Sequence, residues 1–199
     1  MAWDIEGTKR SLLEAGTGEF ATHGLAGARV DRIASAAGIS KERIYQYFGN
    51  KQALFSAVLN KELSTSLTAV AITGHGPSAL ADYARRRFDY QRANPSLTKL
   101  LFWEGLEREP FHADESRREH ARNLVGEARA AVPELSEADA QEILITIITL
   151  VDGWVALQAT DRQIAGLPSD ENARAERRRE FIVEAVRSVT STLVGREPR

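Results

Sequence analysis

The sequence predicts an all-α chain: an N-terminal three-helix head containing a helix-turn-helix, followed by a larger C-terminal helical bundle. Three observations carry this reading. Strand signals are scarce, with few apolar-polar alternations, no Asn-Gly hairpin turn and no strand-helix repeats between glycine-rich loops. Apolar residues recur instead at helical spacing along nearly the whole chain. Helix punctuation falls between those stretches, at Gly24, Gly38, Pro95 after Asn94, Pro133, Pro168 and the Ser136/Asp139 capping pair.

Taken in order, a first helix is expected over residues 4–23, with Leu12, Leu13, Gly16 and Phe20 on one face and Gly24 as its stop. Gly16 and Gly18 each cost about 1 kcal/mol against alanine in a helix interior, so a close packing contact is expected at them. Two short helices follow, at 29–37 and 41–47. A longer one opens at Asn50 and carries Leu54, Phe55, Val58, Leu59 and Leu63 as its apolar stripe. Loop chemistry appears at 73–77. The domain boundary is placed inside the long helix, giving 1–58 as the head and 59–199 as the second domain. Five further helices, at 78–93, 95–108, 114–131, 136–160 and 172–194, are read as one bundle. The last presents Phe181, Ile182, Ala185, Val186, Val189 and Leu193 as one continuous apolar face.

Composition narrows the function classes. With 43% hydrophobic and 27% charged residues in 199, the chain can bury a core and wet its surface. The absence of cysteine removes disulfide frameworks, thiolate metal sites and thiol nucleophiles, and makes the cytoplasm the expected compartment. No stretch approaches the roughly 18 apolar residues of a membrane span, since the run at 143–151 is interrupted by Thr146 and Thr149. His23, His75, His112 and His120 show no metal-binding spacing, and neither a nucleophile constellation nor a phosphate-cradling glycine loop is present. No catalysis, metal or cofactor is expected. The basic run Arg177-Arg178-Arg179, flanked by Glu176 and Glu180, reads as a solvated helix face.

The informative stretch runs from Val30 to Lys51, VDRIASAAGISKERIYQYFGNK. A helix-turn-helix needs a tiny residue where its helices cross, supplied by Ala34, and a positive φ in the turn, which Gly38 adopts without steric cost. Ile33, Ala37, Ile39 and Ile44 form the apolar wedge between the two helices, and Ser40 stands at the N-cap of the second. On that helix Arg43 and Gln46 lie three residues apart on one side, with Lys41, Tyr45 and Tyr47 around them. Arginine pairs bidentately with guanine and glutamine with adenine in the major groove, while lysine and tyrosine suit phosphate oxygens. Between Gly24 and Gln52 five cations, among them Arg29 and Lys51, face two carboxylates in a chain whose net charge is −2. Lys51 also opens a helix whose N-terminus favours a phosphate. Double-stranded DNA is the partner this pattern implies.

The segment from about Gly7 to Leu59 resembles the DNA-binding domain of the TetR family of bacterial regulators. The matching features are Glu19-Phe20-Ala21 before Gly24, Ile33-Ala34 to Gly38-Ile39-Ser40-Lys41, and Tyr45-Gln46-Tyr47-Phe48 to Lys51-Gln52-Ala53-Leu54. The resemblance implies a three-helix DNA-binding head, a long connecting helix, and a C-terminal domain that holds a small-molecule ligand and forms a homodimer. Two residues depart from the family pattern: Glu42 replaces a small or uncharged residue, and Ala28 a hydroxyl residue. Glu42 can repel phosphate, pair with a neighbouring cation or accept from cytosine; an i, i+4 pairing is favoured.

In the second domain, Trp103, Glu104, Asp152 and Trp154 are the candidate ligand residues. Buried carboxylates need partners. They can line a pocket for a cationic or aromatic effector with help from cation–π contact, or Asp152 can pair with an arginine inside the fold. The expected activity is that of a homodimeric repressor on a pseudo-palindromic operator, released by ligand, with the last two helices as the dimer seam. Activation instead of repression stays open, as does a DNA-bound adaptor controlled by a protein partner.

Overall fold

The computed structural model describes residues 5–107, 115–166 and 170–196, and these form ten helices and no strand. Phe111, His112 and Pro168 lie outside the described residues. The helices are α1 (Ile5–Gly27), α2 (Val30–Ala37), α3 (Lys41–Phe48), α4 (Lys51–Ala69), α5 (Pro77–Ala93), α6 (Ser96–Glu107), α7 (Glu115–Ala131), α8 (Glu137–Ala156), α9 (Gln158–Ala165) and α10 (Glu171–Val194). They divide into two compact units: Met1–Leu67 with Pro95–His112, and Thr68–Asn94 with Ala113–Arg199.

The first unit is built on Leu12 and Phe20 of α1, Ile33 of α2, Ile44 of α3 and Leu54, Phe55, Val58 and Leu59 of α4, all fully buried. Phe20 and Phe55 meet edge to face at 5.2 Å, the arrangement their ring quadrupoles favour. Gly16 lets α4 approach α1: a Cβ there would lie 2.8 Å from Val58 Cγ2, whereas one on Gly18 would meet nothing. The close-contact expectation therefore holds at one glycine of the two. Helix α1 breaks at Gly24 (φ 67°, ψ −177°), a backbone conformation that only glycine adopts readily. Asn50 caps α4, its Oδ1 accepting from Ala53 N at 2.8 Å.

Two expectations for the later helices need correcting. They do not make one five-helix bundle. Helix α6 belongs to the first unit, because Leu97 and Leu100 are buried in that unit's core. Nor is 136–160 one helix: α8 ends at Leu157 and α9 leaves at an angle of 81°. The apolar stripe that drives α8 into the core stops near Val151 and Trp154, and α9 has no buried residue, so nothing holds it on the same axis.

The second unit packs α5, α7, α8 and α10 around Leu80, Tyr83, Phe88, Ile143, Ile147, Val151, Ile182 and Val186. The Ser136/Asp139 cap forms as its spacing suggests, Ser136 Oγ accepting from Asp139 N at 3.1 Å. The face read as continuous on α10 is split. Ile182 and Val186 point inward, while Phe181 is 66% exposed and Val189 45%. Ile145 of α8 is likewise exposed. Among the described residues no single helix is long and apolar enough to cross a membrane.

Candidate nucleic-acid interface

The helix-turn-helix is α2, its turn and α3. Gly38 takes the left-handed conformation (φ 67°, ψ 31°), which lets Ile39 N donate to Ala34 O at 3.0 Å and close α2. Ser40, extended, starts α3. Of the eight residues of α3 only Ile44 is buried, so one isoleucine with the partly buried Tyr47 and Phe48 anchors the helix. The remaining surface is presented outward. Tyr45 and Gln46 are exposed there, and Lys41 and Arg43 are partly exposed.

Each residue expected at DNA has a definite place. Arg29 is the exposed N-cap residue of α2, and its backbone N–H donates to Glu19 Oε1 at 2.8 Å. Ser40 occupies the N-cap of α3 but makes no cap bond to the backbone. Its hydroxyl serves Glu42 instead. That carboxylate is held below its usual range by its own backbone N–H first and by the Ser40 hydroxyl second. Glu42 thus turns toward the start of its helix, where its charge is favoured, and not toward an i, i+4 partner. Lys41 Nζ lies 2.9 Å from Asp31 of α2, and this contact raises the lysine above its ordinary value. Tyr47 packs, its ring 6.5 Å from that of Phe48. Lys51 Nζ donates to the carbonyls of Ala26 and Ala28 at 3.3 and 3.2 Å, tying the start of α4 to the α1–α2 connection.

Two acids not singled out from the sequence position these elements. Glu19 of α1 accepts from Arg32 Nε and Nη2 at 2.9 and 2.5 Å as well as from Arg29 N. Burial pushes its carboxyl up, but the Arg32 and Arg29 hydrogen bonds outweigh this and hold it below the ordinary glutamate value. Glu107, at the end of α6, accepts from Leu25 N at 2.5 Å and Ala26 N at 3.1 Å. Those are the backbone donors that follow the break at Gly24. The signal for Glu19 was present in the Glu19-Phe20-Ala21 motif. Glu107 has none, being one acid at a helix end.

The four candidate ligand residues fall into separate settings. Trp103 of α6 covers the break in α1: a Cβ on Gly24 would lie 2.8 Å from its ring, and its Nε1 donates to Ala21 O at 3.4 Å. Glu104 is buried on the same helix in the first unit. In the second unit Asp152 is buried and accepts from Arg87 Nη2 at 3.2 Å and Gln91 Nε2 at 3.2 Å. Its charge is spent inside the fold. Trp154 packs on Phe88, and the Arg174 guanidinium sits 5.0 Å over its ring.

Comparison with known proteins agrees with this geometry. Residues 12–58 match the family described as bacterial regulatory proteins, tetR family, and residues 79–188 match the tetracyclin repressor-like C-terminal domain. The HTH-type transcriptional repressor SCO4008 of Streptomyces coelicolor is 35% identical over 172 residues, 83% of this chain and 87% of that protein. Among solved structures, the putative transcriptional regulator SCO4942 from Streptomyces coelicolor has a TM-score of 0.71 at 30% identity, covering 91% of this chain and 97% of that one. FadR from Bacillus subtilis, solved in complex with stearoyl-CoA, shares the fold with a TM-score of 0.62 at 16% identity, covering 94% and 97%. The chain belongs to the TetR family of helix-turn-helix transcriptional regulators.

Proposed function

We propose that the chain is a repressor that occupies a pseudo-palindromic operator as a homodimer and leaves it when a small molecule binds the second unit. The observation that carries this reading is α3, anchored through Ile44 with Tyr45 and Gln46 exposed and Arg43 beside them. Arg43 and Gln46 read base edges; Arg29, Ser40, Lys41 and Tyr45 border the phosphates, while Tyr47, packed on Phe48, and Lys51, held by the carbonyls of Ala26 and Ala28, support the head from behind. Residues 1–58 serve DNA and 59–199 serve ligand and dimer. The repressor name of the 35% identical relative supports the direction of control.

The dimer seam in this reading is the outer face of α8 and α10, where Ile145, Phe181 and Val189 leave apolar surface uncovered in the single chain. Two heads then enter successive major grooves roughly 34–36 Å apart. Helix α6 supports effector control. It lies within the matched C-terminal segment, yet its Trp103 and Glu107 hold the break in α1 beside the helix-turn-helix. A FadR with this fold was solved with stearoyl-CoA, in keeping with a ligand-holding domain.

Selection of bound fragments from random DNA by the purified protein tests the reading. A two-fold symmetric motif is the expected result. Salt-sensitive binding with no enriched sequence would refute operator recognition.

A further inference from the structure

The second unit contains a cleft of about 80 Å³ lined by Arg92 of α5, Trp154 of α8, Asp161 and Arg162 of α9, and Glu171 and Arg174 of α10. Its charges do not balance. Arg174 pairs with Asp161 and Arg162 with Glu171, but the described partner of Arg92 is the neutral side chain of Asn172. One turn beyond Arg174, Arg178 is partly buried; its contact is the Phe181 ring at 5.9 Å, and the charge of Asp161 offsets only part of its burial. Burial first, and the charge of Arg174 second, pull Arg178 below the ordinary arginine value, as expected where cations crowd. The Nε of Arg174 is buried with no hydrogen-bond partner among the described residues. Trp154 supplies a flat apolar wall with Arg174 stacked over it.

We propose that this cleft binds a small organic acid, a monoanion with a flat apolar body, whose carboxylate is held between Arg92 and Arg174 and whose body lies against Trp154. The inference rests on reading the second unit as an effector domain and names the chemistry of the effector. Guanidinium forks match a carboxylate in shape as well as charge. Asp161 and Glu171, which also line the cleft, disfavour a multiply charged phosphate, and the stacked Arg174 disfavours a cation on the Trp154 face. The void equals the liquid volume of about three waters, room for the carboxylate and its first neighbours, with the rest of the body in the open mouth.

The test is calorimetric titration of the purified protein with benzoate, inorganic phosphate and benzyltrimethylammonium, alongside a gel-shift assay on the selected operator. Benzoate binding is expected, weakened about tenfold or more by Arg174→Met and by the exposed variant Arg92→Gln, which leaves the core untouched. Binding of phosphate or the cation without benzoate would overturn the proposal, as would benzoate affinity indifferent to both variants. Release of the operator by the cation, undiminished in Arg174→Met, would overturn the acid site while leaving effector control intact. Benzoate binding at these arginines with no change in operator affinity would support the site and remove effector control from it.

Discussion

Replacing Glu107 with alanine removes the carboxylate that, among the described residues, holds the backbone donors of Leu25 and Ala26. The two hydrogen bonds, at 2.5 and 3.1 Å, are charge-assisted, a class that contributes about 1.5–3 kcal/mol each. Ala26 is exposed, so water replaces its partner at little cost; Leu25 is partly buried and loses more. The expected net loss is therefore about 2 kcal/mol, near the middle of the range for one such bond. Global unfolding of a two-unit chain need not be two-state, so the sharper readout is amide hydrogen exchange at Leu25 and Ala26. A local loss of about 2 kcal/mol speeds exchange roughly 30-fold where opening is local. Operator affinity should fall as well, because α2 follows this junction directly. Glu107→Gln, which keeps a neutral acceptor, should fall between wild type and alanine in both assays. Unchanged exchange at both amides in Glu107→Ala, with unchanged operator binding, would refute the latch.

The other expectations concern DNA reading, acid stability and assembly. Arg43→Ala should weaken the selected operator by roughly 1–3 kcal/mol and random DNA by much less; equal loss on both would remove Arg43 from base reading. Glu19 carries a depressed pKa in the folded state, so its contribution to stability is complete above about pH 4.3, the unfolded glutamate value, and is lost as pH falls through the lower folded value. Denaturant titrations from pH 6 to pH 3 should show that acid-side slope flattened in Glu19→Gln; an identical slope would show that Glu19 is not its source. Phe181→Arg should give folded monomers with poor operator binding, whereas Val186→Arg, placing a charge in the core, should fail to fold. A dimer persisting in sedimentation of Phe181→Arg would move the seam elsewhere.

The head was legible because each of its features is a local rule. Gly38 needs its positive φ and Gly16 its small size, and the structure shows each in that role. What escaped the sequence was non-local. The spacing of Leu97 and Leu100 announces a helix but not which core it joins, and α6 joins the first. The bend at Leu157 carries no proline or capping signal; it follows from the end of the buried stripe, which is visible only once burial is known. Asp152 in an apolar run signalled that a partner was required, and Arg87 with Gln91 proved to supply it from two turns of α5. Trp154 looked like a cation platform, and the cation over its ring is an internal arginine, Arg174.

The charges of the head set a last expectation, because counting cations overstates what DNA can recruit. If all five between residues 24 and 52 met phosphates in both heads, the logarithmic salt slope would be about −9. In the free protein Arg32 is held bidentately by Glu19, and Lys51 is engaged by the carbonyls of Ala26 and Ala28, so neither is available without dismantling the α1–α2 junction. With Arg43 directed at base edges, Arg29 and Lys41 remain for phosphate in each head, and the slope should be about −4. Lys41 must also exchange Asp31 for phosphate, so its gain is only the difference between two partners. Asp31→Asn removes the competitor at an exposed position. It should tighten operator binding at low salt and leave the advantage shrinking as salt rises. A wild-type slope near −9, or an Asp31→Asn protein with unaltered affinity at low salt, would mean that the internal pairs dissolve on DNA and that the free-state geometry does not govern the contact.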